Sequence, residues 1–386
     1  MSKNYKLELK VLKMIRNILC LSFMASVFLS FDLWRSTRAF PVLPVFRFFE
    51  YLPSWVADVA LNSLLVLLIL GFFFRKSYLF VLICGLIVLF AMADQMRIQP
   101  WVYFYALMFL PFVFDSQNKL ESFVAIYIKW IFVAIYFWSG LHKLNVAFYQ
   151  LSFPNIVDSF LPFGENPIIE YVYKLGPAVG MIEILTALLL LVPHLRRFGA
   201  LLGIACHLFI IIYLSRISYN AVVLPWNICM LSILALLFLR KDFRAQTTFG
   251  IKALPSFLMG VVIVVWFILA YNYFTGSAHN FAFSLYSRKT DHYLVEFSVE
   301  KDSGALSDFK PYWSGLSRYK NRTVLNVQKY SLGELNVPFY PSERTFKQFA
   351  RKLCKEPNDS APLKFIQLDQ LQTKEPKIFI CDEVED

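Results

Sequence analysis

The chain of 386 residues is 58% hydrophobic and only 17% charged, with a mean hydropathy of +0.53. Ordinary soluble domains carry about 25% charged residues, so this composition excludes a wholly soluble protein. The formal net charge of +11 comes with no basic helix and no aromatic–basic platform. That pattern argues against a nucleic-acid partner and assigns the excess charge to membrane topology.

A membrane helix needs about 20 mainly apolar residues. Runs of that kind fall at 17–34, 54–74, 77–93, 99–114, 122–141, 168–192, 198–215, 220–239 and 254–274, which predicts about nine spans. The third and fourth are short and are separated by Pro100. The first span carries a long basic stem with no small-residue cleavage site behind it, so it reads as a retained helix rather than a signal peptide. Cys20, Cys84, Cys206 and Cys229 lie inside apolar runs, where cysteine behaves as a small hydrophobe. Without a CxxC pair, no metal site is expected.

Composition changes near residue 280. The expected fold is therefore an all-α polytopic membrane helix bundle over residues 1–280, followed by a small α+β extracytoplasmic C-terminal domain over 281–386. Orientation follows the basic residues. Lys3, Lys6, Lys10, Lys13 and Arg16 precede the first span. With the N-terminus cytoplasmic, the inner loops hold about twice as many basic residues as the outer ones. An odd number of spans then exports the C-terminal domain.

In that domain, β-like runs fall at 291–299, 322–329, 363–369 and 376–381. Ser342 is a suitable N-cap, and Phe346, Phe349, Ala350 and Leu353 follow at i, i+3, i+4 and i+7. One amphipathic helix on a small sheet is expected. Cys354 and Cys381 stand alone in the tail and are expected to pair if it is exported. Closing a loop of about 28 residues would contribute roughly 3 kcal/mol.

Ionisable residues in or beside membrane helices are functional candidates because burying them is expensive. Asp58, Asn62, Asp94, Arg97, Gln99, His142 and Lys143 gather near the expected outer ends of their spans, and Glu183 and His207 lie deeper. Lys143 reads either as a lysine snorkelling at a helix end or as a base with a desolvated amine. It is expected to line an outward-opening cavity with His142 and at least one of Asp58, Asp94 or Arg97. Glu183 and His207 sit about 10 residues either side of the turn at 193–197. They read either as a pair tying two helices together or as a proton relay.

YFWSGLHKLN at 136–145, the following FLPF loop, GPAVGMIEILTALLLLVPHLRRFG, CHLFIIIYLSRISYNAVVLPWNICML and NFAFSLYS together resemble the horizontally transferred transmembrane domain family, which is vitamin K-dependent carboxylase-like. DQMRIQPWVYFY, ELNVPFYP and ERTFKQFARKLC look more like an uncharacterised bacterial branch of it. The resemblance implies Lys143 as the base with His142 beside it, and Glu183 with His207 relaying protons. It also implies a membrane quinol, vitamin K-like, walled by Asp94, Arg97, Trp101 and Tyr136. Two departures stand out. RIQPWVYFY has no histidine where the family has one, and a tail of about 100 residues replaces the large domain that grips a propeptide.

Two functional readings remain. One is a quinol-linked, carboxylase-like membrane enzyme acting on an exported protein or peptide. The other is a non-catalytic membrane scaffold or assembly factor that binds an exported partner through its C-terminal domain. Transport is disfavoured because no inverted repeat of broken helices is visible.

Overall fold

The computed structural model describes residues 3–114, 120–160, 167–217, 220–240, 251–275, 291–298, 322–355, 363–369 and 374–384, with short pieces at 283, 287, 309 and 311–314. Nine labelled helices build the membrane part: α1 (Lys3–Leu29), α2 (Ser54–Phe73), α3 (Ser77–Ala93), α4 (Pro100–Phe109), α5 (Leu120–Lys143), α6 (Gly176–Leu191), α7 (Arg196–Ile217), α8 (Leu224–Leu234) and α9 (Ser256–Thr275). Among the described residues, seven helical spans are long and apolar enough to cross a bilayer. The two shorter apolar helices, Ser77–Ala93 and Pro100–Val113, are the runs that already looked short in sequence. The chain is a multi-pass integral membrane protein.

Burial sorts the spans into an inside and an outside. Phe123–Lys143 is 78% buried, whereas Ser54–Phe73 is 22% and Ser256–Thr275 is 28% buried. α5 is therefore the central pillar, packed on α6 and α9, while α6 also packs on α7. Helices such as α9 turn Phe267, Tyr271 and Phe274 outward. On an apolar helix of spanning length, such residues meet lipid tails rather than water.

The tail forms a five-stranded sheet: β1 (His292–Ser298), β2 (Trp313–Ser314), β3 (Arg322–Asn326), β4 (Lys364–Leu368) and β5 (Lys377–Ile380), in spatial order β2-β3-β1-β4-β5. All neighbouring strands pair antiparallel, with Val295 opposite both Leu325 and Phe365. Period-two alternation sends Tyr293, Val295 and Phe297 into the domain core. Two helices belong to this part, α10 (Val327–Leu335) and α11 (Glu343–Cys354). Ser342 caps α11 by accepting from the Thr345 amide, as its sequence position suggests.

The expected strand at 322–329 is shorter than its β-rich composition implies. Asn326 accepts from the Lys329 amide and so starts α10, because an asparagine side chain offers a cap that ends strand geometry. Cys354 and Cys381 are joined by a disulfide, with Cα atoms 5.8 Å apart. It ties the end of α11 to the residue after β5.

Loops at one end of the bundle hold the sheet domain. Phe40, fully buried in the loop after α1, packs against Tyr330, Phe339 and Phe349 with ring centroids 5.0, 6.3 and 5.4 Å away. Asn336 donates to the Leu29 carbonyl and accepts from the Ala221 amide. Gln99 donates to the Pro338 carbonyl at 3.0 Å. Gln95 accepts from the Thr345 hydroxyl and contacts the Gln348 side chain. Asn336 has φ of 55°, a left-handed conformation that asparagine tolerates better than most residues.

Candidate functional site

Tyr136, Ser139, Gly140 and Lys143 stand at i, i+3, i+4 and i+7 on α5, and therefore share one helical face. That face meets α6 and α7. Glycine makes the approach to α6 close: a Cβ on Gly140 would lie 2.6 Å from the Gly180 carbonyl oxygen, and a Cβ on Gly180 would lie 2.7 Å from that of Gly140. Small residues let membrane helices pack backbone to backbone where no hydrophobic force drives them together.

Less than one turn from this crossing, Lys143 Nζ donates to Glu183 Oε2 at 2.9 Å and to Ser139 Oγ at 2.7 Å. Both charged side chains are about nine-tenths buried. An unpaired charge at this position would carry a desolvation penalty of several kcal/mol. The pair neutralises both charges and pins α5 to α6. Lys143 also sits in the last turn of its helix, where the C-terminal dipole favours a cation. Asn145 ends the segment, donating to the His142 carbonyl and accepting from the Phe148 amide.

A second polar chain runs from the same face to α7 and α8. Tyr136 Oη lies 2.7 Å from His207 Nε2, and His207 Nδ1 lies 2.8 Å from Asn227 Oδ1. Asn227 Nδ2 donates to the Val223 carbonyl, so its oxygen must be the acceptor facing His207. Nδ1 then carries the imidazole proton, and Nε2 accepts from the Tyr136 hydroxyl. Gly203 supplies the space, since a Cβ there would lie 2.9 Å from the Tyr136 hydroxyl.

The expected contact between Glu183 and His207 is replaced by two separate pairings. Their helices are antiparallel neighbours at matching depth, as the turn at 193–195 requires. Yet Glu183 turns to α5, where a cation offers more than an imidazole, and His207 turns to Tyr136 and Asn227. Asn227 was not foreseen, although a lone polar side chain in the apolar run 220–239 is the same signal that singled out Asn62. His142 is buried and packs edge-on to Tyr273, with centroids 5.3 Å apart.

Asp94 and Arg97 belong to another cluster. Asp94 is fully buried and pairs with Arg38 at 2.5 Å, with Arg97 farther away at 3.8 Å. Its Oδ1 also accepts from the amides of Leu43 and Met96. Arg97 donates to the carbonyls of Leu33 and Trp34 and lies over the Phe90 ring. Two arginines and one carboxylate thus staple the loop after α1 to the turn between α3 and α4. Asp58 is half-buried on α2, which packs on α1 and α3 rather than on α5. The outward-opening site combining Lys143 with Asp58, Asp94 or Arg97 is therefore not formed by these contacts.

The residues implied as quinol walls fall into two groups, with Asp94, Arg97 and Trp101 around Trp34, and Tyr136 on the α5 face that meets α7. Trp101 is packed between Phe23 and Trp34, with centroids 6.2 and 6.1 Å away, while Tyr136 is committed to His207. Arg97 and Trp101 thus both border Trp34, while Tyr136 faces α7.

Residues 121–225 match the family described as Methylamine utilisation protein MauE. The matched stretch holds Tyr136, Lys143, Glu183 and His207. It overturns the resemblance to the carboxylase-like transmembrane family, because the segment bearing those motifs matches MauE instead. The carboxylase reading falls with it. No curated protein and no solved structure matches the chain. Since the match covers little more than a quarter of the sequence, it establishes a similarity of the central helices.

Proposed function

We propose that this chain is a membrane accessory or assembly factor that holds its C-terminal sheet domain at the extracytoplasmic surface to engage an exported protein. The observation carrying this reading is the clamp between the two parts. Phe40, Gln95, Gln99 and Asn336 fasten the sheet domain to the loop end of the bundle. A domain fixed in this way keeps a constant height and orientation above the bilayer, which suits presentation of a binding surface. The principal bundle charges favour the same reading, because Lys143, Glu183 and Asp94 pair within the protein. Similarity of residues 121–225 to the MauE family is in keeping with an accessory role.

One row on the sheet is suited to contact. Leu294 lies opposite Ile366, and Ile366 opposite Ile378, which places the three apolar side chains side by side on the face away from the domain core. Ile378 is 55% exposed.

The test compares exported-protein abundance in source cells carrying wild type, Ile366→Lys/Ile378→Lys or Lys143→Met/Glu183→Met. An assembly factor loses its partner's maturation in the sheet variant and keeps it in the charge-free bundle variant. The reverse pattern would return the function to the bundle. The orientation is checked by a C-terminal reporter active only in the cytoplasm, which should be silent; strong activity would invert the topology.

A further inference from the structure

The loop that joins α1 to α2 carries apolar residues where protein does not cover them. Within residues 46–55, Phe46, Phe48, Tyr51, Leu52 and Trp55 are all exposed, Tyr51 at 83%. A turn of 3-10 helix over Arg47–Tyr51 leads through Pro53 into α2 at Ser54. The backbone of this loop is fixed. The Val45 amide donates to the Met92 carbonyl at the end of α3, at 2.9 Å. From the sheet domain, Arg344, Gln348 and Lys352 stand at i, i+4 and i+8 on α11 and so form one stripe. Arg344 donates to the Val45 carbonyl, Gln348 donates to the Pro44 carbonyl at 3.2 Å, and Lys352 lies 3.4 Å from Glu50. The loop thus gives polar groups to the sheet domain and leaves its aromatic side chains uncovered.

We propose that residues 46–55 form an in-plane anchor that sinks its aromatic side chains into the headgroup–acyl boundary of the leaflet on the sheet-domain side. In water, these five large side chains within one short segment would make a costly apolar patch. Depth favours lipid as the partner. α2 has 20 residues, about 30 Å at roughly 1.5 Å per residue, which matches the hydrocarbon core and puts Ser54 at its boundary. The patch is also continuous with lipid-facing surface, since Trp55 is followed on α2 by exposed Val59, Val66, Ile69 and Phe73. Tyr51 and Trp55 have the amphipathic rings that favour this boundary. Phe46, Phe48 and Leu52 supply the apolar area on which interfacial binding depends. Because α11 grips the same loop, the anchor sets the height of the sheet domain against the bilayer itself, whatever that domain engages.

The test uses the full chain in nanodiscs of phosphatidylcholine that carries a photoactivatable diazirine near the head of one acyl chain. Cross-linked residues are mapped by mass spectrometry. Residues 46–55 should be labelled to within about twofold of Val59 on the exposed face of α2, while α11 should stay unlabelled. Phe48→Asp/Tyr51→Asp should lose the labelling of 46–55 and keep that of Val59, because a carboxylate resists leaving water. Phe48→Leu/Tyr51→Leu should keep both, since burial in lipid asks only for apolar area. Labelling of 46–55 as low as that of α11 would leave the patch in water for a protein partner to cover, and would overturn the anchor. Undiminished labelling in the aspartate variant, or loss in the leucine variant as well, would mean that apolar burial does not hold the segment, and would overturn it too.

Discussion

Lys143 and Glu183 show how a membrane interior changes the meaning of a charged residue. In water their ion pair would be worth little, but here each member keeps the other from being an isolated charge in a low-dielectric bundle. Removing one partner should therefore cost far more than removing both. Lys143→Met or Glu183→Met alone is expected to destabilise by about 3–5 kcal/mol, and the double variant to recover most of that loss. Thermal unfolding of all four proteins in one detergent measures the coupling. Additive losses would mean that the two side chains do not act as a pair.

Glu343 gives the opposite, solvent-screened case. Its carboxylate lies 2.8 Å from Lys377 and 3.0 Å from Lys347. These two ammonium groups, Lys377 first, hold its pKa below the usual 4.5. The folded state thus binds this proton less readily than the unfolded chain. Its stabilising contribution is present above pH 4.5 and fades as pH falls through the lower folded value. With both partners substantially exposed, the effect should stay under about 1 kcal/mol. Hydrogen exchange of α11 amides should lose part of its acid sensitivity in Lys377→Ala. An unchanged profile would remove Glu343 from the acid response.

At the scale of elements, the α5–α6 crossing depends on two hydrogens in place of two methyl groups. Gly140→Ala and Gly180→Ala each force the helices apart, since the added Cβ meets the backbone oxygen of the facing glycine, which cannot rotate away. Overpacking of this kind typically costs about 1–3 kcal/mol. The separation should also lengthen the Lys143–Glu183 contact near the same crossing. Gly85 and Gly260 are the controls, because a Cβ at either meets nothing within 4 Å. Alanine at those helical positions should be neutral or slightly stabilising. Unfolding temperatures of the four single variants decide the matter, and equal behaviour of all four would refute the close crossing. Gly140 and Gly180 are far apart in sequence and follow no short-range motif. Their importance appears only when two helices are placed face to face.

For the whole molecule, the disulfide and the clamp act on the same domain. The Cys354–Cys381 bridge spans a sequence separation of 27, a loop whose closure stabilises by about 3 kcal/mol in the chain-entropy account. Cys354→Ser/Cys381→Ser should expose the sheet domain to proteolysis while the bundle stays folded. Limited proteolysis with mass mapping checks this outcome. Simultaneous loss of both parts would mean that the clamp couples them more strongly than the bridge stabilises either one.

Much of the architecture was written in the order of residues. Apolar runs near 20 residues predict spans because lipid leaves a backbone no partner but its own helix. The alternation at 291–299 and the Ser342 cap reflect equally local rules, so β1 and α11 lie where they were expected. The two cysteines stood out because no others exist in the tail. Partner choice was decided by the tertiary structure alone. Depth along the chain brought Glu183 level with His207, yet depth says nothing about the direction in which a side chain points around its helix. Rotation of α6 towards the glycine face of α5 gave Glu183 to Lys143. His207 was left to Tyr136 and to Asn227, and Asp94 went to Arg38 because a loop folded back over the bundle. Such choices depend on helix rotation and packing, which long-range contacts set and which no window of neighbouring residues contains.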